Sequence, residues 1–82
     1  MLDKICYVTK SSYRTRVLLS LKGEVKMPME LSKDCDILQN HISTVLRQLK
    51  DMGLVECINP EAKRGRLYRL TSDGEMLVEK LS

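Results

Sequence analysis

Between Asp36 and Gly53 the chain reads "DILQNHISTVLRQLKDMG". At 100° per residue, Leu38, Ile42, Val45, Leu46, Leu49 and Met52 gather on one side, while Asn40, Ser43, Thr44 and Arg47 project from the other. That spacing predicts one amphipathic helix over about residues 38–52, stopped by Gly53. Upstream, "SSYRTRVLLSLKG" repeats Tyr13, Val17, Leu18 and Leu21 at helical spacing, with Ser11 or Ser12 as N-cap and Gly23 as the stop. "EVKM" reads as a short extended link. Pro28 then suits the first turn of a short helix, "PMELSKDC", with Leu31 facing inward and Ser32 small enough for a close crossing.

After Gly53 the period shortens. "LVECI" and "RLYRLT" are strand-like, and the eight residues "NPEAKRGR" between them contain Pro60 and Gly65, so an antiparallel hairpin with a long tip is predicted. Tyr68 and Leu70 share one strand face, Leu67 and Arg69 the other. "TSDGEMLVEKLS" closes the chain as a helix capped by Thr71 or Ser72. If Ser72 caps, Glu75 completes a capping box, and Asp73 lies near the positive end of the helix dipole in either case. The fold class is α+β, mainly α.

The 82 residues suffice for one domain, expected over residues 1–82, with one core. That core rests on Leu, Ile, Val and Met, since Phe and Trp are absent. No apolar run approaches the roughly 20 residues that span a bilayer, and "MLDKICYVTK" lacks the features of a signal peptide, so no membrane contact and a cytoplasmic location are expected. Cys6, Cys35 and Cys57 are odd in number and form no close pair, so neither a disulfide framework nor, with His41, a metal site is expected. No cofactor is implied. The single His has no evident nucleophile partner and there is no glycine-rich phosphate loop, which argues against an enzyme.

The net charge of +3 gains meaning from its position. Residues 37–69 hold six Lys/Arg against three Asp/Glu, whereas residues 70–82 hold one against three. Lys63, Arg64 and Arg66 fall within four positions at the hairpin tip. A polyanionic partner fits this basic middle block.

The order helix, link, helix, turn, long helix, hairpin, helix is that of a winged helix-turn-helix. "YRTRVLLSL", "ISTVLRQLKDMGLVECI" and "GRLYRLTSDGEMLVEKL" resemble the MarR-like and ArsR-like transcriptional regulators, especially the small archaeal-type ones, over roughly residues 10 to 81. The resemblance implies double-stranded DNA as partner, with the helix over residues 38–52 in the major groove and the wing over residues 59–66 on the backbone or in the minor groove. It assigns Gln39, Asn40, Ser43, Thr44 and Arg47 to base contacts, and Lys63, Arg64 and Arg66 to the wing. Asn and Gln pair with adenine and Arg with guanine through two hydrogen bonds each, and loop-tip cations neutralise phosphates. The chain departs from the family pattern at Met27 and Leu38, where Ser, Thr or Asn commonly caps. It also lacks the Cys-x-Cys pair of ArsR-like metal sensors: Cys35 stands alone.

Arg14 and Arg16 are open between phosphate contact and solvation, and His41 lies on the flank of the long helix. No small-molecule effector site is evident. A homodimer is expected, because Leu2, Ile5, Val8, Met76, Leu77, Val78 and Leu81 exceed what so small a core needs. The alternative to a DNA-binding regulator is a winged helix that docks a protein in a transcription or replication assembly; such a module would lose the basic wing and expose apolar residues on the recognition face.

Overall fold

The computed structural model describes residues 2–81; Met1 and Ser82 of the expected domain lie outside the described residues. Five helices and one two-stranded sheet follow in the order α1 (Leu2–Thr9), α2 (Ser12–Ser20), α3 (Pro28–Cys35), α4 (Gln39–Asp51), β1 (Val55–Cys57), β2 (Tyr68–Leu70) and α5 (Ser72–Leu81). α1 precedes the first helix expected from the sequence. Its Val8 is fully buried and Ile5 packs against the core. The break after it is fixed by Ser11, whose Oγ accepts from the Arg14 backbone N–H at 3.2 Å and so caps α2.

Residues expected to form a plain link do more. Lys26 exchanges backbone hydrogen bonds of 2.9 and 3.0 Å with Tyr68, adding a third, single-residue rung to the sheet. α3 starts with Pro28 in its first turn and half of a capping box: the Met27 N–H donates to the Glu30 carboxylate at 3.0 Å, which makes up for the missing Ser or Thr. The turn into α4 passes through Asp36 at φ +56°, and the Ser32 hydroxyl donates to the Ile37 carbonyl across it. Ser32 therefore serves as a hydrogen-bond donor as well as a small residue.

α4 buries Ile42, Val45, Leu46 and Leu49, as its period requires. Leu38 departs from the expectation: it stands at the N-cap position and is 70% exposed, because the chain has not yet entered the helix there. Tyr13 is likewise exposed rather than inward. The far end of α4 is a Schellman closure. Gly53, at φ +74°, donates to Lys50 O at 2.9 Å and Leu54 donates to Leu49 O at 3.0 Å.

β1 and β2 pair antiparallel with Val55 opposite Leu70, Glu56 opposite Arg69 and Cys57 opposite Tyr68. The strands are shorter than the apolar pattern suggested, so the hairpin connection is longer. Thr71, rather than Ser72, caps α5: its Oγ1 accepts from Gly74 N–H at 3.1 Å and donates to Gly53 O at 2.6 Å, while its own N–H donates to Leu54 O at 3.0 Å. The capping box that Glu75 would complete does not form, since the capping oxygen comes one residue earlier.

One cluster of buried side chains unites all of this, including Leu18, Leu31, Ile42, Leu49, Leu54 and Leu77. It also absorbs most of the residues that suggested a dimer. Val8, Leu77 and Val78 are buried, Ile5 and Leu81 pack against them, and only Leu2 (73%) and Met76 (51%) stay exposed. They are not a spare apolar face; α1 and α5 use them to close the core.

Candidate nucleic-acid interface

Opposite the buried seam of α4, every side chain named from the sequence is exposed: Gln39, Asn40, Ser43, Thr44 and Arg47. The helix presents them in two stripes. Gln39, Ser43 and Arg47 recur at intervals of four and turn toward the hairpin, with Lys50 next in the row, whereas Asn40 and Thr44 sit on the crest beside them. Long hydrogen bonds run from Ser43 Oγ to Gln39 O (3.4 Å) and from Thr44 Oγ1 to Asn40 O (3.5 Å), leaving both hydroxyl oxygens free to accept.

The hairpin tip folds back toward the same stripe. Gln39, Ser43, Arg47 and Lys50 on α4 and Lys63, Arg64, Gly65 and Arg66 on the wing line one open groove of about 680 Å³. Its floor is apolar, made by Met27, Pro28, Met29, Leu46 and Tyr68. Arg47, Lys50, Lys63, Arg64 and Arg66 thus face one space, and no carboxylate lines it. Among the described residues the ion pairs belong to Lys4, Lys26 and Arg69, so none of the five groove cations is neutralised internally. Five uncompensated charges around one concave surface focus a positive field, which attracts an anion of matching length. The sequence reading omitted Lys50. Its signal was there: it continues the Ser43–Arg47 stripe one turn on.

Asn40 and Thr44 remain outside the groove, on the most protruding part of α4. Arg14 and Arg16 are occupied elsewhere. Arg14 donates from Nε to Tyr7 O (2.9 Å) and from Nη1 to Gln48 Oε1 (3.2 Å), with its guanidinium 3.9 Å from the Tyr7 ring centre, so it ties α1 and α2 to α4. Arg16 donates to the Cys35 carbonyl at 2.9 Å, at the negative end of α3. Neither is the freely solvated residue or phosphate contact weighed from the sequence. The His41 ring leans on Tyr13, with centres 5.7 Å apart.

Two titrating groups are shifted. Lys26 bonds Asp34 at 2.7 Å and pairs with Glu24 at 3.1 Å; the Asp34 hydrogen bond, working against partial burial, raises its pKa above the usual lysine value. Burial raises the Cys35 thiol, keeping it protonated. The three cysteines are free, and among the described residues no group of three His, Cys, Asp or Glu side chains gathers as metal ligands would. No described helix is long and apolar enough to cross a membrane.

No family model and no curated protein matches the sequence. Solved structures do. A MarR family transcriptional regulator from Silicibacter pomeroyi superposes with a TM-score of 0.79 at 29% identity, over 96% of this chain and 57% of that one. The reduced form of MarR from E. coli superposes with a TM-score of 0.77 at 29% identity, over 90% of this chain and 58% of that one. The chain has a MarR-type winged-helix fold. In this winged helix α4 is the recognition helix and the β1–β2 hairpin is the wing. Lactococcus lactis ZitR, solved in complex with DNA, has the same fold at 16% identity and a TM-score of 0.75, over 84% of this chain and 48% of ZitR. The chain spans about half of the length of the proteins it matches.

Proposed function

We propose that this chain is a single winged-helix domain that binds double-stranded DNA sequence-specifically and regulates transcription by occupancy, in the cytoplasm and without chemistry of its own. The observation that carries this reading is the groove in which Arg47, Lys50, Lys63, Arg64 and Arg66 meet with no carboxylate and no ion-pair partner. The likeness to regulators, and to ZitR in complex with DNA, supports it.

The two stripes of α4 suit two tasks. Asn40, Thr44 and Arg47 stand farthest from the core, and a helix entering the major groove brings that crest to the base edges. Gln39, Ser43 and Lys50 lie on the flank toward the wing, where the phosphate strand between helix and hairpin would run. Lys63, Arg64 and Arg66 then hold the backbone, or reach the minor groove where an A-tract narrows it. Two chains on a palindromic site would place two such helices about 34 Å apart, one helical turn. Leu2 and Met76 are the exposed apolar residues left for contact between the copies.

The test compares two alanine sets on selected and scrambled duplexes across a salt series. Replacing Lys63, Arg64 and Arg66 is expected to weaken binding to every duplex and to make the slope of log affinity against log salt shallower by about 0.9 per lost phosphate contact. Replacing Asn40, Thr44 and Arg47 is expected to erase preference for the selected site, at roughly 1–3 kcal/mol per bidentate contact, while much non-specific affinity survives. Equal, small losses in both sets on both duplexes would turn the reading toward a protein-docking module.

A further inference from the structure

The charged tip of the wing has almost no sheet beneath it. Beyond the Cys57–Tyr68 pair, one backbone hydrogen bond, Ile58 N–H to Leu67 O at 2.9 Å, still joins the two arms. From there the loop is held by a side chain. Asn59 Oδ1 accepts from the Leu67 backbone N–H at 2.7 Å, and Asn59 Nδ2 donates to Gly65 O at 3.2 Å. The carboxamide thereby stands in for a further rung of the hairpin, one acceptor and one donor facing the opposite arm. The Asn59 backbone takes part as well: its carbonyl accepts from Ala62 N–H at 3.0 Å, closing a turn with Pro60 at the second position, where its fixed φ favours that turn. The Ala62 carbonyl in turn accepts from Arg66 Nε at 2.7 Å, which fixes the direction of that guanidinium. Asn59 is half-buried and carries no charge, so it holds the loop that bears Lys63, Arg64 and Arg66 without competing for an anion.

We infer that Asn59 is the positioning residue of the wing: its carboxamide holds the Lys63–Arg66 loop in the conformation that faces α4, so that the phosphate backbone meets cations already in place. The inference rests on the DNA-binding reading. Its physical content is that ordering a loop at the moment of binding costs affinity, and a loop ordered beforehand does not incur that cost. A positioning residue and a charged contact leave different signatures in salt. Removing a cation removes a counterion-release step and flattens the salt dependence. Removing the clamp leaves the number of phosphate contacts unchanged and lowers affinity by the same factor at every salt concentration.

The experiment measures binding of a mixed-sequence DNA duplex to the parent chain, Asn59→Ala, Asn59→Asp and the triple variant Lys63→Ala/Arg64→Ala/Arg66→Ala across a salt series, with amide exchange of the Leu67 N–H followed by NMR. Asn59→Ala is expected to weaken binding about tenfold at all salt concentrations, as for two or three newly mobile side chains, with the slope unchanged. Its Leu67 amide exchanges faster, while the amides of the Val55–Leu70 pair keep their protection. Asn59→Asp keeps the acceptor for Leu67 and is expected to restore that amide's protection; at high salt, where its added charge is screened, it binds more tightly than Asn59→Ala. The triple variant is the arm that tests the DNA reading: unchanged binding there would remove that reading and the inference with it. A weakened triple variant beside an Asn59→Ala chain that binds like the parent, or whose slope flattens as though a contact were lost, would overturn the role of Asn59 and leave the DNA reading standing.

Discussion

Gly74 joins the two halves of the fold at a point where no side chain fits. A Cβ built there lies inside the van der Waals envelope of the Leu54 carbonyl oxygen, 3.1 Å from the Leu54 carbonyl carbon and 3.3 Å from Leu70 Cβ. The same carbonyl accepts the Thr71 N–H, so it cannot swing away without losing a hydrogen bond. Gly74→Ala gains up to about 1 kcal/mol of helix propensity. Against that, the backbone overlap outweighs it, and a net loss of about 1–3 kcal/mol is expected. Thermal unfolding should show a midpoint lower by about 4–8 °C for each kcal/mol. Lys26 gives a second test at this scale. Its folded-state pKa is raised above the ordinary 10.5 by Asp34 and Glu24, so the stability it contributes is fully present below that value and is lost as pH rises through the folded one. Lys26→Met should cost on the order of 1 kcal/mol in urea unfolding near pH 8, and the gap to the parent should narrow above about pH 11. The spacing of "YRLTSDG" made a helix start readable, but the reason for its glycine was not: close approach to Leu54 comes from a segment some twenty positions away.

Among the elements, α4 was the most legible because its burial follows from one period, and its end because Gly53 closes a Schellman motif. Strands of three residues carry little periodicity, so their ends were overestimated, and α1 went unassigned because its apolar residues read equally as a spare surface. Exposure of Leu38 shows the limit of the wheel at a helix boundary: a residue has a face only once the backbone is helical. The site residues were legible as types and not as a groove, since the wing's direction depends on the Lys26–Tyr68 rung and the Asn59 clamp, both non-periodic contacts. Lys50 was missed for that reason, and it supplies the prediction at this scale. If it meets the same phosphate strand as the wing, Lys50→Ala should weaken binding to selected and scrambled duplexes alike and flatten the salt slope by about 0.9. Fluorescence polarisation of a labelled duplex reads both quantities. A loss of sequence preference instead would put Lys50 among the base-reading residues.

The described chain measures 34 × 23 × 20 Å, and its longest dimension matches one turn of B-DNA. One copy therefore covers about 10 base pairs, and α4 can occupy the major groove only once within that length. A half-site of that length offers few base contacts: the crest presents Asn40, Thr44 and Arg47, each worth roughly 1–3 kcal/mol when well paired. Specific sites typically exceed non-specific DNA by about 4–10 kcal/mol, a margin that one crest reaches only at its best and two reach readily. Two copies on one face of the duplex are accordingly predicted, with protection extending over about 20 base pairs and two major-groove segments one turn apart. The core has already consumed Val8, Leu77 and Val78, so contact between copies is thin in the absence of DNA, and pairing should depend on the site. Sedimentation is then expected to give the monomer mass for the free chain and two chains per duplex on the selected site. Hydroxyl-radical footprinting of the same complex should give two protected windows of equal depth. A single window of about 10 base pairs with one chain bound would show that one recognition helix and one wing are sufficient for specific binding.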